Sequence, residues 1–215
     1  MPPSGGRSVA VPSIKGTAIQ SVAEDLKALI ASGRIAREWI EARLDAEDLR
    51  ILDDKVLPGM WYPLASYERL TQILIEVDGG GKPDYVVRRG ARAAERLFAA
   101  GLYLQLERGE EIGAQKRERG EGWTEREGNL VASIAGAIFN VSRWRFRIDA
   151  TDPALQHIEV TEADALPETS RLAAQGFIEY TTSRLSGAPV RVTSERTGRD
   201  RIVFTLRRSR APARP

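Results

Sequence analysis

From Arg143 the chain reads Arg-Trp-Arg-Phe-Arg-Ile, the alternation a half-buried strand requires, because successive side chains point to opposite faces. Trp144, Phe146 and Ile148 are predicted to share one face, and Arg143, Arg145 and Arg147 the other. Ile158 and Val160 repeat the pattern, a helical stretch follows, and 190–194 and 201–207 alternate again. Residues 141–208 are therefore expected to form a ββαββ unit with one apolar face. Such a face must be covered by another layer.

The upstream half supplies that layer. Thr17-x-x-Gln20 has the spacing of a capping box, and Ile19, Val22, Leu26 and Leu29 form a stripe that ends where Gly33 suits a helix C-cap. Two short helical segments are expected at 35–43 and 46–53. Leu57-Pro-Gly-Met-Trp-Tyr-Pro-Leu64 then reads as a rigid apolar loop. A helix through Tyr67, Leu70, Ile73 and Leu74 is broken by Asp78-Gly-Gly-Gly81. Pro83 opens the next helix, with Val87, Ala91, Ala94, Phe98, Gly101 and Leu102 on its apolar side. Residues 108–123 read as a solvated loop. Thr124 caps a final helix before the sheet, whose small residues Ala132, Ala135, Gly136 and Ala137 suit close packing. The expectation is one α+β domain over 14–208, its helical part 14–140 packed on a four-stranded antiparallel sheet in 141–208. Residues 1–13 are expected to be disordered and 209–215 to form a basic tail.

Composition narrows the chemistry. The net charge is only +2, so the pI near 9.0 is no argument for nucleic acid. Lysine occupies only positions 15, 27, 55, 82 and 116, so arginine dominates the 32 basic residues. Arginine codon choice in a GC-rich genome is the favoured account of that preference, ahead of a need for bidentate anion contacts. There is no cysteine, which excludes disulfides, thiolate metal sites and thiol catalysis. The first residues lack the apolar run of a secretory signal, and Leu130–Phe139 is half of the ~20 residues a membrane span needs. A cytoplasmic protein is expected.

The candidate catalytic groups reduce to bland readings. His157, the one histidine, alternates away from Ile158 and Val160, which predicts a place on the polar sheet face. Lys82 is followed by Pro83, so Asp78-Gly-Gly-Gly-Lys82 is not a phosphate loop. Glu24/Asp25, Asp53/Asp54 and Glu110/Glu111 are adjacent acids of the kind that solubilise a surface. An RNA-reading sheet displays aromatics on its exposed face, whereas Trp144, Phe146 and Phe204 fall in the buried phase. The arginine row, interleaved with Glu159 and Glu195, is expected to form cross-strand ion pairs on a solvated or dimer-forming face. No nucleic-acid role is expected. The aromatic residues are more suggestive: Trp61 and Tyr62 in the proline-bracketed loop, with Phe98 and Leu102 on the long helix, would line an apolar pocket above Trp144 and Phe146. Plain core packing explains the same residues.

Lys15-Gly16, Leu57-Pro-Gly-Met-Trp-Tyr-Pro-Leu64, the Gly176-Phe177 helix, Pro189-Val-Arg-Val192 and Ile202-Val-Phe204 together resemble an uncharacterised myxobacterial family. That family looks related to the 4-vinyl-reductase domain, the H-NOX haem domain and the small subunits of the TRAPP tethering complex. The resemblance implies an H-NOX/TRAPP-like ligand-binding fold, often dimeric, with a hydrophobic pocket between helices and sheet. It also implies departures. The cysteine-based metal site of 4-vinyl-reductase domains cannot exist here. Tyr180-Thr-Thr182-Ser-Arg184 mimics the H-NOX Tyr-x-Ser-x-Arg motif with Thr for Ser, but inside an expected helix, and His157 is on a strand. No haem, other cofactor or metal is expected. The resulting expectation is a non-enzymatic sensor or adaptor for signalling, binding an apolar small molecule or lipid through Trp61, Tyr62, Phe98, Leu102, Trp144 and Phe146. The alternative is a scaffold that homodimerises or docks a protein partner without a small ligand. An enzyme built on carboxylates and arginine has no positive support.

Overall fold

The computed structural model describes residues 11–100, 124–152 and 154–208. The expected loop at 108–123, the tail at 209–215 and residues 1–10 lie outside the described residues. The first half carries α1 (Gly16–Ala31), α2 (Arg37–Glu41), α3 (Ala46–Asp53), α4 (Leu64–Val77) and α5 (Asp84–Ala99), with the short strands β1 (Ser13–Lys15) and β2 (Trp61–Pro63). After α6 (Glu125–Gly136) come β3 (Arg143–Ile148), β4 (Leu155–Thr161), α7 (Glu168–Ser186), β5 (Val190–Gly198) and β6 (Arg201–Arg208). The four long strands form an antiparallel sheet in the order β3-β4-β6-β5. The α+β layout and the ββαββ unit stand as expected.

The start of α1 differs from its sequence reading. The helix opens at Gly16, and no side chain caps it. Instead the N–H groups of Gly16 and Thr17 donate to the carbonyls of Met60 (2.8 Å) and Pro58 (3.2 Å). The Leu57–Leu64 loop thus satisfies the donors that every helix start leaves unpaired. A Cβ on Gly16 would lie 2.0 Å from the Leu57 carbonyl oxygen, so only glycine admits this approach. Lys15 closes the contact, with Nζ 4.0 Å from the Trp61 ring centroid. Lys15-Gly16 and the Trp61 loop are therefore two halves of one junction.

β1 pairs with β2, and on its other side Lys15 N donates to Ile138 O (2.9 Å) while Asn140 N donates to Ser13 O (3.2 Å). Asn140 also accepts from Ser13 N through Oδ1 (2.7 Å) and donates through Nδ2 to Val11 O (2.9 Å). Ser13, expected in the disordered segment, belongs to this ribbon because a residue 127 positions away supplies its partners.

Two helices cover the inner sheet face. α6 lies on β3, where Gly128 and Gly136 let rings press against the helix: added Cβ atoms would sit 2.4 Å from Phe146 and 2.8 Å from Trp144. Trp144 stacks between Phe139 (5.9 Å) and Phe204 (5.6 Å), and Phe146, Ile158 and Phe204 form one buried row across three strands. Ile148 shares their phase but lies at the strand end, 38% exposed.

α7 lies against β5, through a face the hydrophobic pattern does not indicate. That pattern would turn Leu172, Ala173, Gly176, Phe177, Tyr180 and Arg184 to the sheet. In the structure Gly176 abuts the backbone of α5, and Tyr180 meets Phe98 with ring centroids 6.0 Å apart. A polar row at helical spacing, Arg171, Gln175, Glu179 and Ser183, turns to β5 instead. Glu179 Oε2 accepts from Val192 N (2.9 Å), Ser183 Oγ accepts from Val190 N (3.0 Å), and Arg171 donates to Ser194 O (2.7 Å). The outer edge of β5 has no neighbouring strand among the described residues, so its backbone groups need side-chain partners. Polar residues that a pattern reading assigns to solvent meet that need.

Asp48 is fully buried and receives a two-pronged bond from Arg69, through Nε (2.5 Å) and NH2 (2.8 Å), with Asp45 accepting a further bond. Removing the guanidinium strands a buried carboxylate. Arg69→Met is expected to lower stability by about 3 kcal/mol, towards the low end for buried pairs because Arg69 is partly exposed. Urea denaturation checks it, and a loss below about 1 kcal/mol would show that Asp48 finds another partner.

Candidate functional site

Where α1, α5, α6 and α7 converge, the helices enclose a partly open cavity of about 70 Å³. Ile14 and Val22 form one wall, Ala135, Ile138 and Phe139 a second, and Ala174 and Phe177 a third. Four polar residues interrupt this apolar lining: Ser21, Tyr67, Arg89 and Ser170. Ser170 Oγ is buried without a hydrogen-bond partner.

The cavity is small because α5 and α7 touch backbone to backbone beside it. A Cβ on Gly90 would lie 1.9 Å from Ala173 O, and one on Gly176 would lie 1.8 Å from Val87 O. Each glycine receives the other helix's main chain, so no space for a ligand is left between them. The face of α5 that is buried centres on Tyr85, Val86, Arg89, Gly90 and Ala94. It is rotated from the expected Val87/Ala91/Ala94/Phe98 stripe because a paired arginine occupies the interior.

Arg89 is 9% exposed. It donates to Asp25, to Tyr85 Oη (3.3 Å) and to Ser21 O (3.2 Å), while Nε makes no hydrogen bond among the described residues. Burial alone would lower its pKa, but the hydrogen bond and charge of Asp25 outweigh that and raise it, so the group stays cationic. Asp25 is thus not the solubilising surface acid that its neighbour Glu24 suggests; it is the counter-ion of this buried cation. The network continues outward, as Tyr85 Oη donates to Asp78 Oδ2 (2.9 Å) and Arg34 pairs with Asp78 (3.1 Å). The Tyr85 hydroxyl's bond holds the Asp78 carboxyl below its usual range. Gly80 and Gly81 have φ of 59° and 72°, so the glycine run ends α4 in left-handed turns.

The sequence-predicted site residues fall in separate places. Trp61 and Tyr62 stand beside an open groove on the α3 side with Leu57 and Met60, and Tyr62 Oη accepts from Leu57 N (2.9 Å). Phe98 lies against Tyr180, with the Arg184 guanidinium 5.8 Å from its ring centroid. Trp144 and Phe146 are pressed beneath α6, and Leu102 lies outside the described residues. None of the described aromatics in this set lines the α1/α5/α6/α7 cavity. The cavity-lining Arg89 and Ser170 are not signalled by hydrophobic pattern, although the mid-helix glycines Gly90 and Gly176 mark the close approach.

His157 does sit on the outer sheet face but is 9% exposed rather than a surface residue. Arg147 and Thr205 flank it across the ladder, with Thr205 Oγ1 3.4 Å from Nδ1 and Asp149 Oδ2 3.7 Å from Nε2. On the same face Glu159 pairs with Arg147 (2.6 Å) and Arg201 (3.0 Å), as the cross-strand reading expects, whereas Glu195 makes no ion pair among the described residues. The Thr151 hydroxyl, with the N–H groups of Thr151 and Asp152, lowers the Asp149 pKa to about 2. A depressed carboxyl pKa stabilises the fold above the ordinary value of 3.8, and the contribution is lost as pH falls through about 2. A carboxyl NMR titration is therefore expected to show Asp149 still ionised at about pH 3. Protonation near the ordinary value of 3.8 would show that the turn does not hold it.

No protein-family profile matches the sequence, and no curated protein does. Among solved structures the chain is similar to an H-NOX protein from S. oneidensis in the Fe(II)NO ligation state, at 11% identity and a TM-score of 0.54, over 91% of this chain and 99% of that one. It is also similar to the Fe(II) unliganded H-NOX protein from K. algicida, at 10% identity and 0.55, over 92% and 98%. The shared architecture is an H-NOX-like α+β fold. Among the described residues, no helix is long and apolar enough to cross a membrane.

Proposed function

We propose that this chain is a cytoplasmic, non-enzymatic sensor or adaptor domain of signalling, which holds a small apolar molecule in the α1/α5/α6/α7 cavity. The observation that carries the reading is that cavity, apolar on three sides with Arg89 and an unpartnered Ser170 in its lining. The H-NOX-like fold supports a ligand-holding role.

Haem, which one similar structure concerns through its redox potential and porphyrin distortion, does not fit the residues here. Drug-sized ligands need pockets of about 300 Å³ or more, against about 70 Å³ in this cavity. Gly90 and Gly176 lock the adjoining helices together, His157 is on the far face of the sheet, and Tyr180, Thr182 and Arg184 lie within α7. The protein expressed with a haem precursor is expected to show no Soret band and a haem-free mass by native mass spectrometry. Stoichiometric haem would overturn the reading.

A second reading is favoured by one observation. Leu57, Met60 and Trp61 are 50%, 56% and 43% exposed on a single loop, a surface suited to a second copy or a protein partner, as in TRAPP subunits. It predicts a dimer in light scattering that Trp61→Glu dissociates; a monomer at high concentration contradicts it.

A further inference from the structure

The polar groups of the α1/α5/α6/α7 cavity specify more than an apolar occupant. We propose that the site, provided it holds a ligand at all, selects small neutral molecules carrying one hydrogen-bond acceptor, the class of short ketones, aldehydes and alcohols. Size comes first. An engineered apolar cavity of about 150 Å³ in another protein holds benzene, so about 70 Å³ scales to roughly three heavy atoms, and the open side leaves room for a fourth.

Polarity comes second. Among the described residues the Arg89 Nε–H makes no hydrogen bond, and the buried Ser170 hydroxyl has no partner. An acceptor oxygen on the ligand would give the Ser170 hydroxyl the partner it lacks, which a purely apolar occupant leaves at full desolvation cost. Charge comes third. Asp25 already neutralises Arg89, so an anionic ligand would place a second negative charge beside a buried cation that is already paired. The site therefore selects a neutral carbonyl or hydroxyl over a carboxylate.

Acetone and isobutene test this directly, because they share a shape and differ by one oxygen. In ¹H–¹³C methyl NMR titrations of the full chain, both are expected to shift Val22 and Ile138 resonances. Acetone should bind about tenfold more tightly, and acetate should not bind. Ser170→Ala should bring the affinity for acetone down towards that for isobutene. Equal affinity for acetone and isobutene would overturn the selectivity and leave the cavity as a ligand site. No shift with either probe, in a protein whose spectrum is well dispersed, would overturn both.

Discussion

Gly176→Ala is expected to destabilise the protein by about 3 kcal/mol or more, an unusually large effect for one added methyl group. The new Cβ would lie 1.8 Å from Val87 O and 3.0 Å from Ala91 N. Both are backbone atoms of α5, so no side-chain rotation relieves the clash and the helices must separate. Gly90→Ala meets the Ala173 carbonyl in the same way from the opposite helix. Gly59→Ala is the control: nothing lies within 4 Å of its Cβ, and the effect should stay within about 0.5 kcal/mol. Denaturant midpoints measure all three. A Gly176→Ala protein as stable as the parent would mean that α5 and α7 are not in backbone contact, and nothing would then hold the cavity to so small a volume.

Phe204→Ala is expected to cost about 4 kcal/mol. Phe204 is fully buried, stacks on Trp144 at 5.6 Å, and joins Ile158 and Phe146 in the row that runs across the sheet beneath α6. Removing the ring leaves a void flanked by Trp144, which is itself held by Phe139 and Gly136 and cannot collapse into it. Thermal and denaturant unfolding should both register the loss. A cost below about 1.5 kcal/mol would show that the sheet and α6 are loosely packed.

The sheet is the most legible part of the molecule. Strict alternation from Arg143 and from Val190 has one structural meaning, and the small residues of α6 announce close packing on a neighbour. Pattern fails where polar residues are buried. Arg89 counts as a surface residue in any periodicity, and its counter-ion Asp25 lies 64 positions away. The row Arg171, Gln175, Glu179 and Ser183 looks solvated until an edge strand is placed against it. The aromatic residues mislead for the opposite reason. Trp61, Phe98 and Trp144 each suit a pocket wall, but aromatic character does not say whether a ring meets a ligand, another ring or a lysine. Here Trp61 meets Lys15, Phe98 meets Tyr180, and Trp144 meets Phe139 and Phe204. The cavity lies among residues around two glycines that hydrophobicity could not rank.

A crystal of the protein pressurised with xenon decides whether the cavity is real apolar space, because xenon occupies such space regardless of ligand chemistry. One xenon site is expected, enclosed by Ile14, Val22, Ala174 and Phe177, with α5 and α7 still in contact at Gly90 and Gly176. Electron density showing side chains filling that space and no xenon, or a porphyrin-sized opening between the two helices, would contradict a small ligand site.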